Sequence, residues 1–313
     1  MYQLRAAMHL LWVFLRAALW QKRAAGCLPR QLPPAAMRRF YHYYRGTTYL
    51  AAVFSALSGR GRNREERRLF ALMAALAAYF DDLSDARPAA PDPVDWTLRG
   101  RLLDPDGTAL CLLDELRRSL GAEQAGGFES ALEAVYQVEM RTAAQPDLPG
   151  LMYSTGEKGG NSVLLFRSLL HSPLSMEERE LLFEFGRLIQ LSDDIFDVWF
   201  DLVEPPQHTL AVWFLQKNKV GDLIQLFENQ VDSLRERMLK SSFPHRKTTW
   251  ATIFFLVAAT RVALGHYRRL ALRHGVLPLH DRSQMVVDMA AWPNRWRMLV
   301  MILRKSGKSR GGL

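Results

Sequence analysis

Apolar residues recur at helical spacing along almost the whole chain, and strand signals are nearly absent. No alternating run of β-branched residues occurs, and no Asn-Gly or Asp-Gly turn joins two apolar strands. Faces that repeat every three to four residues are buried by packing helix on helix. The spacing predicts helices over about 1–24, 35–57, 64–85, 107–120, 123–144, 147–171, 175–203, 219–241, 246–274 and 282–304. Pro33-Pro34, Ser58 to Gly61, Pro88 to Pro93, Pro146 to Gly150, Pro205-Pro206 and Pro278 punctuate them. No stretch is long and polar enough to divide the chain, and no solenoid-length repeat occurs. We expect one all-α domain over residues 1–313, a single bundle of about ten helices. The apolar segment Trp250 to Leu264 belongs at its centre, and the basic residues 305–313 form a disordered tail.

Composition excludes several classes. With 49% hydrophobic and 23% charged residues, the 313-residue chain is neither disordered nor fibrous. Two cysteines, Cys27 and Cys111, leave no disulfide framework and no Cys-rich metal site, and favour a reducing, cytoplasmic setting. The histidines, His208, His245 and His266 among them, show no metal-ligand spacing. The net charge of +9 suits a nucleic acid, an anionic membrane surface or a phosphorylated substrate. The Arg60 to Arg68 run includes Glu65 and Glu66 and has no aromatic platform, so a nucleic-acid partner is not expected. Residues Ala6 to Trp20 are too short and too interrupted, by His9 and Arg16, to span a bilayer. Arg16, Lys22 and Arg23 stand where a signal-peptide cleavage site would lie. Residues 1–24 read as an amphipathic helix on the protein body, with peripheral membrane contact as the sharper alternative.

Two acidic clusters break the pattern. Asp81-Asp82-Leu83-Ser84-Asp85 and Asp193-Asp194-Ile195-Phe196-Asp197 share the spacing D-D-x-x-D, and each closes a long apolar stretch. Residues four apart stack on one helix face, so Asp81 pairs with Asp85, and Asp193, Asp197 and Asp201 form a ladder. Like charges one turn apart cost a helix a few tenths of a kcal/mol per pair. No basic residue at i±4 on the second ladder offsets this, which points to a cation supplied from elsewhere. Carboxylates suit Mg²⁺, which shares its shell with substrate phosphates. An EF-hand is excluded, since neither cluster has the central glycine or the closing Glu of that loop.

These motifs resemble those of the class I isoprenoid synthase superfamily, which unites terpene cyclases and trans-prenyl diphosphate synthases. Gly186, Gln190, Asp193, Asp194, Asp197 and Val198 are similar to the second aspartate-rich motif of the prenyl synthases, and Asp193, Asp197 and Asp201 to the cyclases' metal-binding triad. The residue-level likeness is confined to the motifs, while the helix order matches over about 35–275. It implies Mg²⁺, as about three ions, held by Asp81, Asp82, Asp85, Asp193, Asp194, Asp197 and Asp201, and an isoprenyl diphosphate substrate of C15–C20 or longer. Glycines at 156, 159 and 160 are expected to break or kink a helix around Lys158, the match for a diphosphate-contacting lysine. Arg261, Tyr267 and Arg268 are candidates for a late diphosphate-binding Arg and Tyr. Arg141 and Asn161 are candidate substrate contacts, and Phe70, Ala77, Phe196 and Trp199 candidate cavity walls. The family often forms homodimers.

Departures from the pattern favour the cyclase branch. Only one arginine, Arg87, follows the first motif closely, no Gly-Gly-Lys-Arg stretch precedes it, and Glu204-Pro205-Pro206 stands where prenyl synthases carry Gly-Lys. A second diphosphate site therefore looks incomplete unless the Arg60 to Arg68 run supplies it. The alternatives are a prenyl transferase, a head-to-head synthase of the squalene type and a non-catalytic subunit of a prenyl synthase.

Overall fold

The computed structural model describes residues 19–28, 32–85, 107–142, 147–203 and 208–308, with backbone alone at 35, 80–85, 123, 139–142 and 304–308. The chain is all-α, and no strand occurs among the described residues. After a short helical stretch over residues 19–25, the elements are α1 Pro34–Ser58, α2 Arg64–Asp85, α3 Thr108–Ser119, α4 Ala122–Thr142, α5 Leu148–Arg167 and α6 Met176–Phe196. They continue as α7 Val198–Val203, α8 Leu210–Gln216, α9 Val220–Lys240, α10 Arg246–His274, α11 Arg282–Met285 and α12 Trp292–Lys308.

Local signals set several boundaries. Pro34 opens α1, where a missing N–H costs nothing, and Gly59 closes it in the left-handed region at φ 71°. Asp147 and Ser175 cap α5 and α6, each side chain accepting from the N–H three residues on.

α10 is the hub. It packs on α1, α6, α9 and α12, and Ile253, Phe254, Val257 and Ala258 are buried along it. It is also the one described helix long and apolar enough to cross a bilayer, but most of its apolar stretch is buried among the other helices. The Tyr49 hydroxyl on α1 donates to its Thr252 carbonyl, and the Tyr49 ring meets Phe185 of α6 edge-on.

The antiparallel pairing of α5 and α6 is the most extensive among the described helices. Along it, Arg167 meets Glu178, Gly160 faces Phe183, Gly159 faces Gly186, and Thr155 meets Asp194. Beyond the end of α5, the His171 N–H donates to the Glu66 carboxylate near the start of α2, and Phe70 packs on Phe166 with ring centroids 6.1 Å apart. The stretch of α5 around Thr155 is the end that meets the Asp193–Asp197 segment.

Four sequence expectations are corrected. The helix predicted over 147–171 is not broken by its glycines; α5 runs unbroken to Arg167. The helix predicted over 175–203 is interrupted at Asp197, which leaves helical geometry at φ −96°, ψ 7°. A helix was not expected near 210, yet α8 buries Leu210, Val212, Phe214 and Leu215. It is too short for periodicity to reveal. The helix predicted over 282–304 is two, α11 and α12, and α12 extends through Lys308 into the predicted tail. Residues 1–18 and 309–313 lie outside the described part.

Candidate functional site

The site is built on the seam between α5 and α6. A Cβ on Gly159 would overlap the Gly186 carbonyl oxygen, and one on Gly186 would overlap the Gly159 carbonyl. A Cβ on Gly160 would meet the Phe183 ring at 2.5 Å, and one on Gly156 the Arg187 guanidinium at 2.8 Å. These glycines are therefore spacers that let two helix backbones touch, and this is why three of them in five residues do not kink α5. Gly186 and Gln190 of the second motif have structural roles: one makes the contact, and the other donates to Asp194 Oδ1 at 2.9 Å.

This contact separates the aspartate doublet. Asp193 and Asp197 are exposed, whereas Asp194 is 4% exposed and turned into the seam. Its second oxygen accepts the Thr155 hydroxyl at 3.3 Å. Burial pushes the Asp194 carboxyl up to about 6; the Gln190 bond and the Lys158 charge work against that, and the Asp193 charge adds to it. With both oxygens engaged, Asp194 anchors the motif and is not presented beside its neighbour, the position the motif reading gave it.

The ladder survives the interruption at Asp197. The N–H of Asp197 donates to the Asp193 carbonyl and that of Asp201 to the Asp197 carbonyl, both at 2.9 Å. Asp201 is half-buried, and its Oδ2 accepts the Thr209 hydroxyl at 2.9 Å. Burial pushes its carboxyl up to about 7, against the Thr209 bond, and the charges of Asp194, Asp197 and Asp193 add to the rise. Four carboxylates thus share one field. Hard oxygen donors in excess negative potential are the donor chemistry of a divalent cation site. Among the described residues no group of three or more His, Cys, Asp or Glu is close enough to hold an ion alone.

The other predicted residues fall as follows. The α2 backbone carries Asp81, Asp82 and Asp85 on its last turn; their side chains, like that of Arg141 on α4, lie outside the described residues. Lys158 is half-buried on α5, near enough to Asp194 to lower its pKa. Asn161 is buried and donates to the Glu157 carbonyl and carboxylate of its own helix. Phe70 is fully buried between Phe54 and Phe166, a core position and not a cavity wall. Ala77, Phe196 and Trp199 are half-buried against the core. Arg261 is committed to Glu228 of α9 through both guanidinium arms. Arg268 is exposed on α10. Tyr267 is fully buried, and its hydroxyl donates to the Ile195 carbonyl at 2.9 Å and the Met285 carbonyl at 3.3 Å. It ties the end of α6 to α10 and α11, so its place is a positioning one.

Sequence reasoning missed Arg282. Its guanidinium lies 5.1 Å from the Trp199 ring and 5.8 Å from the Phe200 ring, beside Asp201 in sequence. Nothing in its local sequence marks it; contacts of Tyr267 and His266 with the Met285 and Gln284 carbonyls hold α11 against α10. On the other side of the α5–α6 seam, a cavity of about 190 Å³ is lined by Met152, Thr155, Arg187, Leu191, Leu210 and Gln230.

Comparison of the chain with family models, with curated proteins and with solved structures finds no match in any of the three.

Proposed function

We propose that the chain is a Mg²⁺-dependent terpene synthase of the class I isoprenoid type, ionising an allylic isoprenyl diphosphate without a second diphosphate substrate. The observation that carries this reading is the gathering of Asp193, Asp194, Asp197 and Asp201 in one field at the end of α6, beside Lys158.

In this reading Asp193, Asp197 and Asp201 would hold the metal from the α6–α7 segment, and Asp81, Asp82 and Asp85 from the end of α2. Bound Mg²⁺ supplies Lewis acidity toward the diphosphate oxygens. The chain's own part is electrostatic and steric. Lys158 and Arg282 place positive charge beside the acidic end, where negative charge builds on the departing diphosphate. The glycine seam and the Tyr267 tie hold the ladder in place, so little reorganisation accompanies reaction. Aromatic faces at Phe196 and Trp199 steady a carbocation by roughly 0.5–2 kcal/mol each.

The position of the Arg60 to Arg68 run weighs against the transferase alternative. The run ends at Arg68 in the first turns of α2 and Asp81 lies in its last turns, so at ~1.5 Å per residue about 20 Å of helix separates the run from the motif. The run is also in structural use. Arg60 pairs with Glu66, Arg68 with Glu115, and Arg67 donates to the Arg62 carbonyl. A second diphosphate-binding site is not assembled from it.

The test is incubation of the purified chain with Mg²⁺ and C10, C15, C20 and C25 allylic diphosphates, with and without isopentenyl diphosphate. Hydrocarbon or alcohol formed without isopentenyl diphosphate is expected. A longer diphosphate formed only in its presence would replace this reading with the transferase, and no turnover at all would favour a non-catalytic subunit.

A further inference from the structure

A stripe of large apolar side chains on α12 faces solvent. Trp292, Trp296, Leu299 and Leu303 are 72%, 54%, 38% and 45% exposed. At ~100° per residue these positions fall within about 60° of one another, so they form one continuous line. The helix already has its packing face elsewhere. Ile302 is buried, Met298 and Met301 pack against the core, and α12 lies on α10. The two tryptophan rings stack on each other, 6.4 Å apart and 27° from parallel. Two more exposed apolar residues are Leu272 on the last turn of α10 and Val276 just past its cap.

The described charges on α12 are cationic: Arg295 and Arg297 flank Trp296, and the sequence carries no Asp or Glu from Trp292 to Leu313. Arg269 and Arg273 add cations from α10. Arg297 and Arg273 lie close enough to Arg269 for their charges, together with its burial, to lower its pKa. Cations of two helices therefore share this edge.

We propose that the face formed by α12 and the end of α10 docks on an anionic lipid surface, with the α12 axis in the membrane plane. Indole rings favour the boundary between headgroup and acyl chain, and flanking cations meet anionic headgroups. A 17-residue helix rich in cations is too short and too charged to span the bilayer. Two copies meeting through this face would bring like charges together, which disfavours self-association.

The test is flotation of the full chain with phosphatidylcholine vesicles, with and without about 30% phosphatidylserine. Binding to the anionic vesicles alone, weakened by salt, is expected. Trp292→Ser with Trp296→Ser, and separately Arg273→Glu with Arg297→Glu, should each weaken it at least about tenfold while melting like wild type. If the tryptophan variant loses its melting transition, the arginine variant carries the test. The proposal is overturned if wild type does not float, if the folded variants float as wild type does, or if the tryptophans support a dimer in sedimentation with no vesicle binding.

Discussion

At the residue scale, the account rests on which side chains have room and which have partners. Gly159 and Gly186 have no room: an added Cβ on either meets the other's backbone. Gly159→Ala or Gly186→Ala should cost about 1–3 kcal/mol through overpacking, read as a lower midpoint in thermal unfolding. An unchanged midpoint would mean that the helices are not in backbone contact. Glu66 is the opposite case, fully buried and richly partnered. Burial alone would raise its pKa, but the Arg60 guanidinium and the N–H groups of Asn63 and His171 outweigh that and hold it below the ordinary carboxylate range. A depressed folded pKa contributes stability above the ordinary value, which is lost as pH falls through the folded one. Glu66→Gln should therefore cost about 2 kcal/mol at pH 7. The cost should shrink as pH falls below about 4. An equal cost at both pH values would contradict the assigned charge.

At the element scale, the end of α6 depends on what ties it down. Tyr267 holds the Ile195 and Met285 carbonyls together from α10. Tyr267→Phe leaves both without that donor and should cost about 1–2 kcal/mol, seen in chemical denaturation. It should also slow turnover by displacing the ladder and Arg282, with a larger effect on kcat than on KM. The elements show what sequence can and cannot give. The long helices were legible because each has a full apolar face, and α10 read as the hub from the same run that now lies buried. The α6–α7 interruption was not legible, because the i, i+4 spacing of the aspartates is unchanged across Asp197 and the hydrogen bonds continue through it. The glycines of α5 misled for a different reason. Composition shows that glycine weakens a helix alone, while only the fold shows the Gly186 backbone that makes use of it.

At the scale of the whole molecule, the antiparallel register of α5 and α6 brings Lys158 and Thr155 to the end of α6 that carries the second aspartate motif. The Asp193–Asp197–Asp201 ladder was legible in sequence from its i, i+4 spacing. Arg282 was not, because its place comes from tertiary contact alone. Lys158→Ala should lower turnover about 10²–10³-fold if it faces the leaving diphosphate, with little change in melting. The most direct test of the central claim is release of inorganic diphosphate from an allylic diphosphate, without isopentenyl diphosphate, by wild type and by Asp193→Asn with Asp197→Asn. The account predicts Mg²⁺-dependent release by wild type, abolished by EDTA and by the double variant, which should melt no lower than wild type. Equal release by the variant, or release independent of Mg²⁺, would contradict it.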